Sequence, residues 1–473
     1  MTIAQPQAPA PHQAAGAGRS WQLLVLAAES PAGLEAATDA LAAWLGEHPD
    51  AGLASVARAL HLRAGRGGHR RMAVCKDAAD AAAVLAARDP QRVMTAAPAA
   101  GAAEVVFLFP GLGEQYVGMA RGLYRMEPVF RQAFDRCAAV LQPLLDTDLR
   151  DVVLPDAPAG AEGVPAAGSG IDLRAMLARL RETGDAATQR LNRTELAQPA
   201  VFAVEVALAR LLLSWGIRPV GMIGHSLGEY AAAATAGVLP LDGALELVAR
   251  RAKMIDALPG GAMLAVPLSE AETRPLLGPE LAIGAVNSPT TCVVSGPEAA
   301  VAALEARLAE RQVVSRRLAT THAFHSPMMR PIAGPFMEML RGMELGAPEL
   351  PFVSNVTGTW ARADEVRTPE YWARHMTGAV RFSDGIAELA ANPARVFVEV
   401  GPGQTLGSFA RQSGATRHIV LPTIRPAYNK QPDTAFLLGT LGRLWLAGAP
   451  VAWDGLFPGG APEPAFLGGL PAA

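Results

Sequence analysis

From residue 21 onward, apolar and polar positions sort into short stretches with two different periods. "WQLLVLAA" is an unbroken apolar run of strand length, and "HRRMAVC" is a second strand pattern. Between and after them, "SPAGLEAATDALAAWL", "GLASVARALHL" and "DAADAAAVLAAR" repeat apolar residues at helical spacing. The pattern predicts a compact α/β unit over residues 21–100, ended by the low-complexity "TAAPAAGAA". A fresh strand, "EVVFLF", opens at Glu104, and strands and helices then alternate to about residue 265. The Gly/Pro/Ala-rich "LPDAPAGAEGVPAAGSG" interrupts that alternation and reads as a surface insertion.

Over residues 262–320 the pattern changes to the short strands "GAMLAVPLS", "LAIGAVNSP" and "TTCVVSGP", the helix "EAAVAALEARLAERQ", and "VVSRRLA". This is the signature of a small α+β subdomain. "RVFVEV", ending in "GPGQ", returns to the larger sheet, and after Leu421 a loop and the helix "TAFLLGTLGRLWLAG" lead to a Pro/Gly-rich end. No internal repeat interrupts the order.

At 473 residues the chain exceeds a single core and predicts two or three domains. Half of it is hydrophobic, 18% is charged and the net charge is −3, which gives no electrostatic pull toward nucleic acid or anionic lipid. Cys75, Cys137 and Cys292 lie too far apart for a disulfide framework or a paired metal site, so a reducing, cytoplasmic compartment is expected. The first twenty residues have neither a basic start nor an apolar run and read as a flexible lead instead of a signal peptide. "AVFAVEVALARLLLSW" contains Glu205 and Arg210, which argues against a membrane span. In that compartment the sequons at Asn192 and Asn355 carry no glycan.

The chemistry concentrates in "IGHSLGEY". Ser226 stands between two glycines, after an apolar run and before an alanine-rich helix, which is the context of a nucleophile elbow. The alternative is a structural serine in a tight turn. A serine hydroxyl needs a base, and among nine histidines the best placed are His322 and His325 in "THAFHSPMM", at the seam between the two subdomains. Arg251 is unusual in another way. In "DGALELVARRAKMIDAL" its helical neighbours are Ala244, Leu247, Val248, Met254 and Ile255, so a guanidinium falls within the buried stripe. It needs an anion, either an acidic residue from elsewhere in the fold or a substrate carboxylate held by its planar fork. "FLFPGLGEQY" and "GPGQTL" fail as dinucleotide fingerprints because Tyr116 and Leu406 stand at the third glycine position.

Together, "FPGLGEQY", "TELAQPA", "GHSLGEY", Arg251, "AVNSP", "THAFHS" and "EVGPG" resemble the acyltransferase domain of modular type I polyketide synthases, kin of the malonyl-CoA:acyl carrier protein transacylases. The resemblance spans residues 104–425, and both flanks look like the linkers of such a domain. It implies an α/β fold: a large α/β-hydrolase-like parallel-sheet subdomain (residues 104–261 and 330–425) with an inserted ferredoxin-like α+β small subdomain (262–329). A ketosynthase–acyltransferase linker domain (21–100) precedes these, and a post-acyltransferase linker (426–473) follows.

The resemblance also implies roles. Ser226 is acylated and His325 is the general base, while the backbone N–H groups of Leu112 and Leu227 form the oxyanion hole. Arg251 takes the free carboxylate of the extender, Gln198, His322 and Phe324 line the pocket, and the backbone carbonyl of Asn392 orients the histidine. Position 112 departs from the family pattern, which has Gln there. "HAFH" at 322–325 is the version associated with malonyl selectivity, Phe324 filling space that a methyl branch needs.

The implied reaction moves a malonyl group from malonyl-CoA to the phosphopantetheine thiol of an acyl carrier protein, with no bound cofactor or metal. Its partners are the ketosynthase and other domains of the same synthase. Three alternatives remain at this level: another extender such as methylmalonyl, a serine hydrolase or editing thioesterase, and an inactive scaffolding fragment. Arg251 separates the hydrolase from the transferase.

Overall fold

The computed structural model describes residues 19–64, 68–97, 101–155 and 186–457. Most of the expected flexible lead, the greater part of the surface insertion after Leu154, and the Pro/Gly-rich end beyond Phe457 lie outside the described residues.

Three sheets organise the chain. β1 (Gln22–Ala28), β2 (His69–Cys75) and β3 (Val93–Ala96) form an antiparallel sheet in the order β1-β2-β3. β4 (Glu104–Phe109), β5 (Pro219–Gly224), β10 (Phe352–Val353), β11 (Arg395–Pro402) and β12 (Val420–Ile424) form a parallel sheet in the order β10-β5-β4-β11-β12. Between β5 and β10 in the chain, β6 (Ala262–Val266), β7 (Ala282–Ser288), β8 (Thr291–Gly296) and β9 (Arg316–Arg317) form an antiparallel sheet in the order β7-β8-β6-β9. With helices Glu270–Thr273 after β6 and Glu298–Glu310 after β8, this is the βαββαβ order of a ferredoxin-like unit.

The parallel sheet is buried on both faces, as a sheet with helical crossovers must be. On β4, Val105, Phe107 and Phe109 enter one apolar cluster while Val106 and Leu108 enter another on the opposite face. Helix Thr194–Ser214 meets the length and apolarity of a membrane span, yet it is almost wholly buried and packs against β11. It is the central helix of the large subdomain.

Three features differ from the sequence reading. Val93–Ala96 is a strand where only a boundary was expected, because Val93 and Met94 find register opposite Ala73 and Met72. Val420–Ile424 forms an edge strand where a loop was expected after Leu421. The stretch around residue 100 separates two sheets but not two cores. Helix Asp433–Leu446 packs on β1, β2 and β12, so one apolar cluster runs from Leu23 to Leu456. Arg19 reinforces this junction by pairing with the buried Glu127 and donating to the Leu456 carbonyl.

Candidate active site

The site forms at the carboxyl end of the parallel sheet, where open α/β sheets place their crevices. β5 ends at Gly224, and Ser226 adopts φ +55° before helix Gly228–Thr235 begins. A left-handed conformation costs a non-glycine residue roughly 1–2 kcal/mol, and the tight turn is what lifts the hydroxyl out of the backbone. The turn closes only because its flanks lack side chains. A Cβ on Gly224 would meet Glu229 N at 2.0 Å, and one on Gly228 would meet Phe109 O at 2.0 Å.

Ser226 Oγ lies 2.6 Å from His325 Nε2. His325 Nδ1 faces two backbone carbonyls, His375 O at 3.2 Å and Gly378 O at 3.0 Å. A carbonyl only accepts, so Nδ1 carries the proton and Nε2 is the lone pair that receives the Ser226 O–H. Both carbonyls belong to the end of helix Pro369–Thr377, where the last C=O groups have no partner within the helix and the dipole is negative. The small subdomain fixes this loop, since Val286 N donates to Val380 O and Val380 N donates to Gly284 O, each at 2.9 Å.

The Asn392 expectation is therefore corrected. Asn392 precedes β11, at the amino-terminal end of a parallel sheet whose carboxyl end carries Ser226. Its carbonyl accepts instead from His418 Nε2 at 3.1 Å.

Burial, with Arg251 and His225 as nearby positive charge, pushes the His325 pKa down to about 3, against the pull of its two carbonyl acceptors. The imidazole is neutral over the physiological range. His225 occupies the elbow itself, its Nε2 2.8 Å from Asn287 Oδ1 of β7, which ties the nucleophile's turn to the small sheet.

Arg251, on helix Leu241–Asp256, is 2% exposed. Its Nη1 donates to the Oε1 of the fully buried Gln198, its guanidinium stands 5.4 Å from the Tyr230 ring centroid, and among the described residues its Nε has no partner. Among the described residues no carboxylate pairs with it, so the acidic residue considered from the sequence is not there. An arginine held by one amide and one aromatic face retains unused donors and a full charge.

Leu112 and Leu227 occupy adjacent turns after β4 and β5, and among the described residues neither backbone N–H has an acceptor. The Leu112 side chain is exposed. His322 is buried against Thr321, its Nδ1 2.9 Å from Oγ1, and meets Phe324 edge-on with centroids 6.3 Å apart. Phe324 is half-buried between the two main apolar clusters. Of the two candidate bases, only His325 reaches Ser226.

Sequence reasoning did not find Asn355. Its Oδ1 accepts the Ser226 N–H at 2.8 Å, its Nδ2 donates to Gly224 O at 2.7 Å, and its own N–H donates to Glu229 Oε2 at 2.6 Å. The only signal at that position was a sequon, and a residue 1% exposed is no glycan acceptor. The carbonyls of His375 and Gly378 had no side-chain signal at all.

Comparison with known proteins agrees with this geometry. Residues 106–449 match the acyl transferase domain family, and residues 22–85 match a CurL-like polyketide synthase C-terminal family. A phenolphthiocerol/phthiocerol polyketide synthase of Mycobacterium tuberculosis is 38% identical over 468 residues, 96% of this chain but 29% of that protein. The chain thus spans less than a third of this curated relative. The acyl transferase domain of ZmaA superposes with a TM-score of 0.82 at 33% identity, covering 93% of this chain and 97% of that one. The malonyl-CoA:acyl carrier protein transacylase of Xanthomonas oryzae gives a TM-score of 0.56 at 29% identity, covering 69% and 96%. With a family match across the parallel sheet and the inserted small sheet, and a polyketide synthase relative along nearly its whole length, this chain belongs to the acyl transferase domains of modular type I polyketide synthases.

Proposed function

We propose that this domain carries a malonyl group from malonyl-CoA, through an ester on Ser226, to the phosphopantetheine thiol of an acyl carrier protein within a cytoplasmic synthase. The observation that carries this reading is Arg251, a buried guanidinium with no carboxylate partner among the described residues. A pocket built for a neutral acyl chain gains nothing from a buried cation, whereas a carboxyacyl donor supplies the missing anion.

In the first half-reaction His325 Nε2 takes the Ser226 proton as Oγ attacks the thioester carbonyl. The oxyanion is received by the N–H groups of Leu112, in the turn after β4, and Leu227, at the start of helix Gly228–Thr235. Collapse expels the CoA thiolate, which takes the proton from His325, and malonyl remains on Ser226. The second half-reaction mirrors the first. The carrier thiol gives its proton to His325, its sulfur attacks the ester carbonyl, and Ser226 leaves with that proton.

His375 O and Gly378 O stabilise the transient imidazolium, the work that an aspartate does in a hydrolase triad. Gln198 holds Arg251, while Phe324 and His322 limit the space beside the α-carbon. One methyl is worth roughly 1–3 kcal/mol in such a pocket, so exclusion of methylmalonyl by Phe324 is modest.

Competition among malonyl-, methylmalonyl- and acetyl-CoA, read by the mass of the acyl-enzyme formed, tests the assignment. Malonyl should dominate, methylmalonyl should follow, and acetyl should be least. Preferential acetyl loading would contradict the role given to Arg251.

A further inference from the structure

One buried carboxyl is linked to both halves of the dyad through its neighbours. Glu229 lies in the first turn of helix Gly228–Thr235, three residues past the nucleophile, with no exposed surface. Its Oε2 accepts the Asn355 N–H at 2.6 Å, and its Oε1 accepts the Tyr371 O–H. Asn355 bridges the elbow, bonding Ser226 N on one side of the turn and Gly224 O on the other. Tyr371 lies one turn before His375 on helix Pro369–Thr377, whose end holds His325 Nδ1. His375 Nε2 itself stands 3.6 Å from Glu229 Oε2, both side chains fully buried.

We propose that Glu229 is the positioning residue that sets Ser226 and His325 at hydrogen-bonding distance, reaching the serine through Asn355 and the histidine through the Tyr371 helix. The inference rests on reading Ser226 and His325 as the acylating dyad. Both carboxyl oxygens face donors, the Asn355 N–H and the Tyr371 O–H, and the ionised form accepts from both, whereas a glutamine would turn an NH₂ group toward one of them. Burial pushes the Glu229 carboxyl up to about 8, with the Tyr371 and Asn355 bonds opposing, so the location is costly for an acid on stability grounds. Small displacements in a reacting pair are expensive in rate.

The test compares wild type, Glu229→Gln and Tyr371→Phe in two assays on the whole chain. One is single-turnover acylation by malonyl-CoA. The other is labelling of Ser226 by a small fluorophosphonate, which needs the dyad but no carboxylate contact. Above a pH of about 8, where Glu229 is ionised, Glu229→Gln should slow both reactions about ten- to a hundred-fold with KM for malonyl-CoA unchanged. Tyr371→Phe should lower the same rates by a smaller factor.

If either variant loses folded protein while the folded fraction reacts at the wild-type rate, Glu229 is only structural and the proposal is overturned. Should Glu229→Gln not fold at all, Tyr371→Phe carries the decision. A wild-type protein that labels with fluorophosphonate but takes no malonyl would refute the proposed function, while the labelling rates would still decide the positioning role.

Discussion

If Arg251 holds the donor's carboxylate as proposed, replacing it with alanine should turn preference away from malonyl and toward acetyl. In the wild type the guanidinium is 2% exposed, held by Gln198 and the Tyr230 face, and has no carboxylate partner among the described residues. On the proposed reading a malonyl carboxylate would share this water-poor space, and removing one partner of such a pair costs about 2–5 kcal/mol, most of it the penalty of leaving the other charge unpaired. At about 1.4 kcal/mol per decade, malonyl kcat/KM should fall by roughly thirty- to several-thousand-fold.

Acetyl-CoA should respond in the opposite direction. Its methyl no longer faces a buried cation, and the His325 base loses one of the positive charges that hold its pKa down at about 3. Arg251→Lys should fall between, because it keeps the charge and loses the fork. Stopped acylation assays with both donors, alongside fluorophosphonate labelling of Ser226 to confirm an intact dyad, measure the ratio directly. An unchanged malonyl-to-acetyl ratio in a variant that still labels would refute the carboxylate role.

Three further outcomes follow from the same geometry. Gly228→Ala should reduce acylation at least about a hundred-fold, because a methyl 2.0 Å from Phe109 O forces the elbow away from the β4 turn; wild-type turnover in a folded variant would contradict this. Phe324→Ser should raise the methylmalonyl-to-malonyl ratio of kcat/KM by about ten-fold or more, and a fixed ratio would place selectivity elsewhere. Glu205 is fully buried, with neither oxygen bonded among the described residues, and burial together with the Glu399 carboxyl raises its pKa well above the usual range. Its folded pKa exceeds its unfolded one, so its cost to stability grows as pH rises above about 4.5. Glu205→Leu should stabilise the protein by roughly 1–3 kcal/mol near neutrality and by less at pH 5, read from denaturant melts at both pH values; destabilisation at neutral pH would refute this.

Two of the groups the structure brings to the site had a signal in the residues alone: Ser226 by its flanking glycines and Arg251 by sitting in an apolar stripe, whereas the residues alone did not separate His325 from His322. The alternation of strands and helices similarly exposed the inserted small sheet, although ferredoxin-like topology itself came from the resemblance. What escaped works through the backbone or across long separations. The carbonyls that hold His325 belong to a helix end fifty residues further on, and any residue type can offer a carbonyl. The expectation placed this role at Asn392, at the wrong end of the sheet.

Asn355 stands 129 positions after Ser226 and 126 after Glu229 in the sequence, so its bonds to both exist only once the chain is folded. Low complexity near residue 100 marked a change of sheet correctly. It carried no information about the helix Asp433–Leu446, which returns to merge the two cores.

The most direct test of acyl transfer through Ser226 is to mix the protein with labelled malonyl-CoA, quench, and locate the adduct by intact mass and peptide mapping. One malonyl ester is expected, on Ser226, persisting in buffer and discharged when a phosphopantetheinyl carrier protein is added. No adduct on Ser226, or an adduct lost to water as fast as to the carrier thiol, would contradict it.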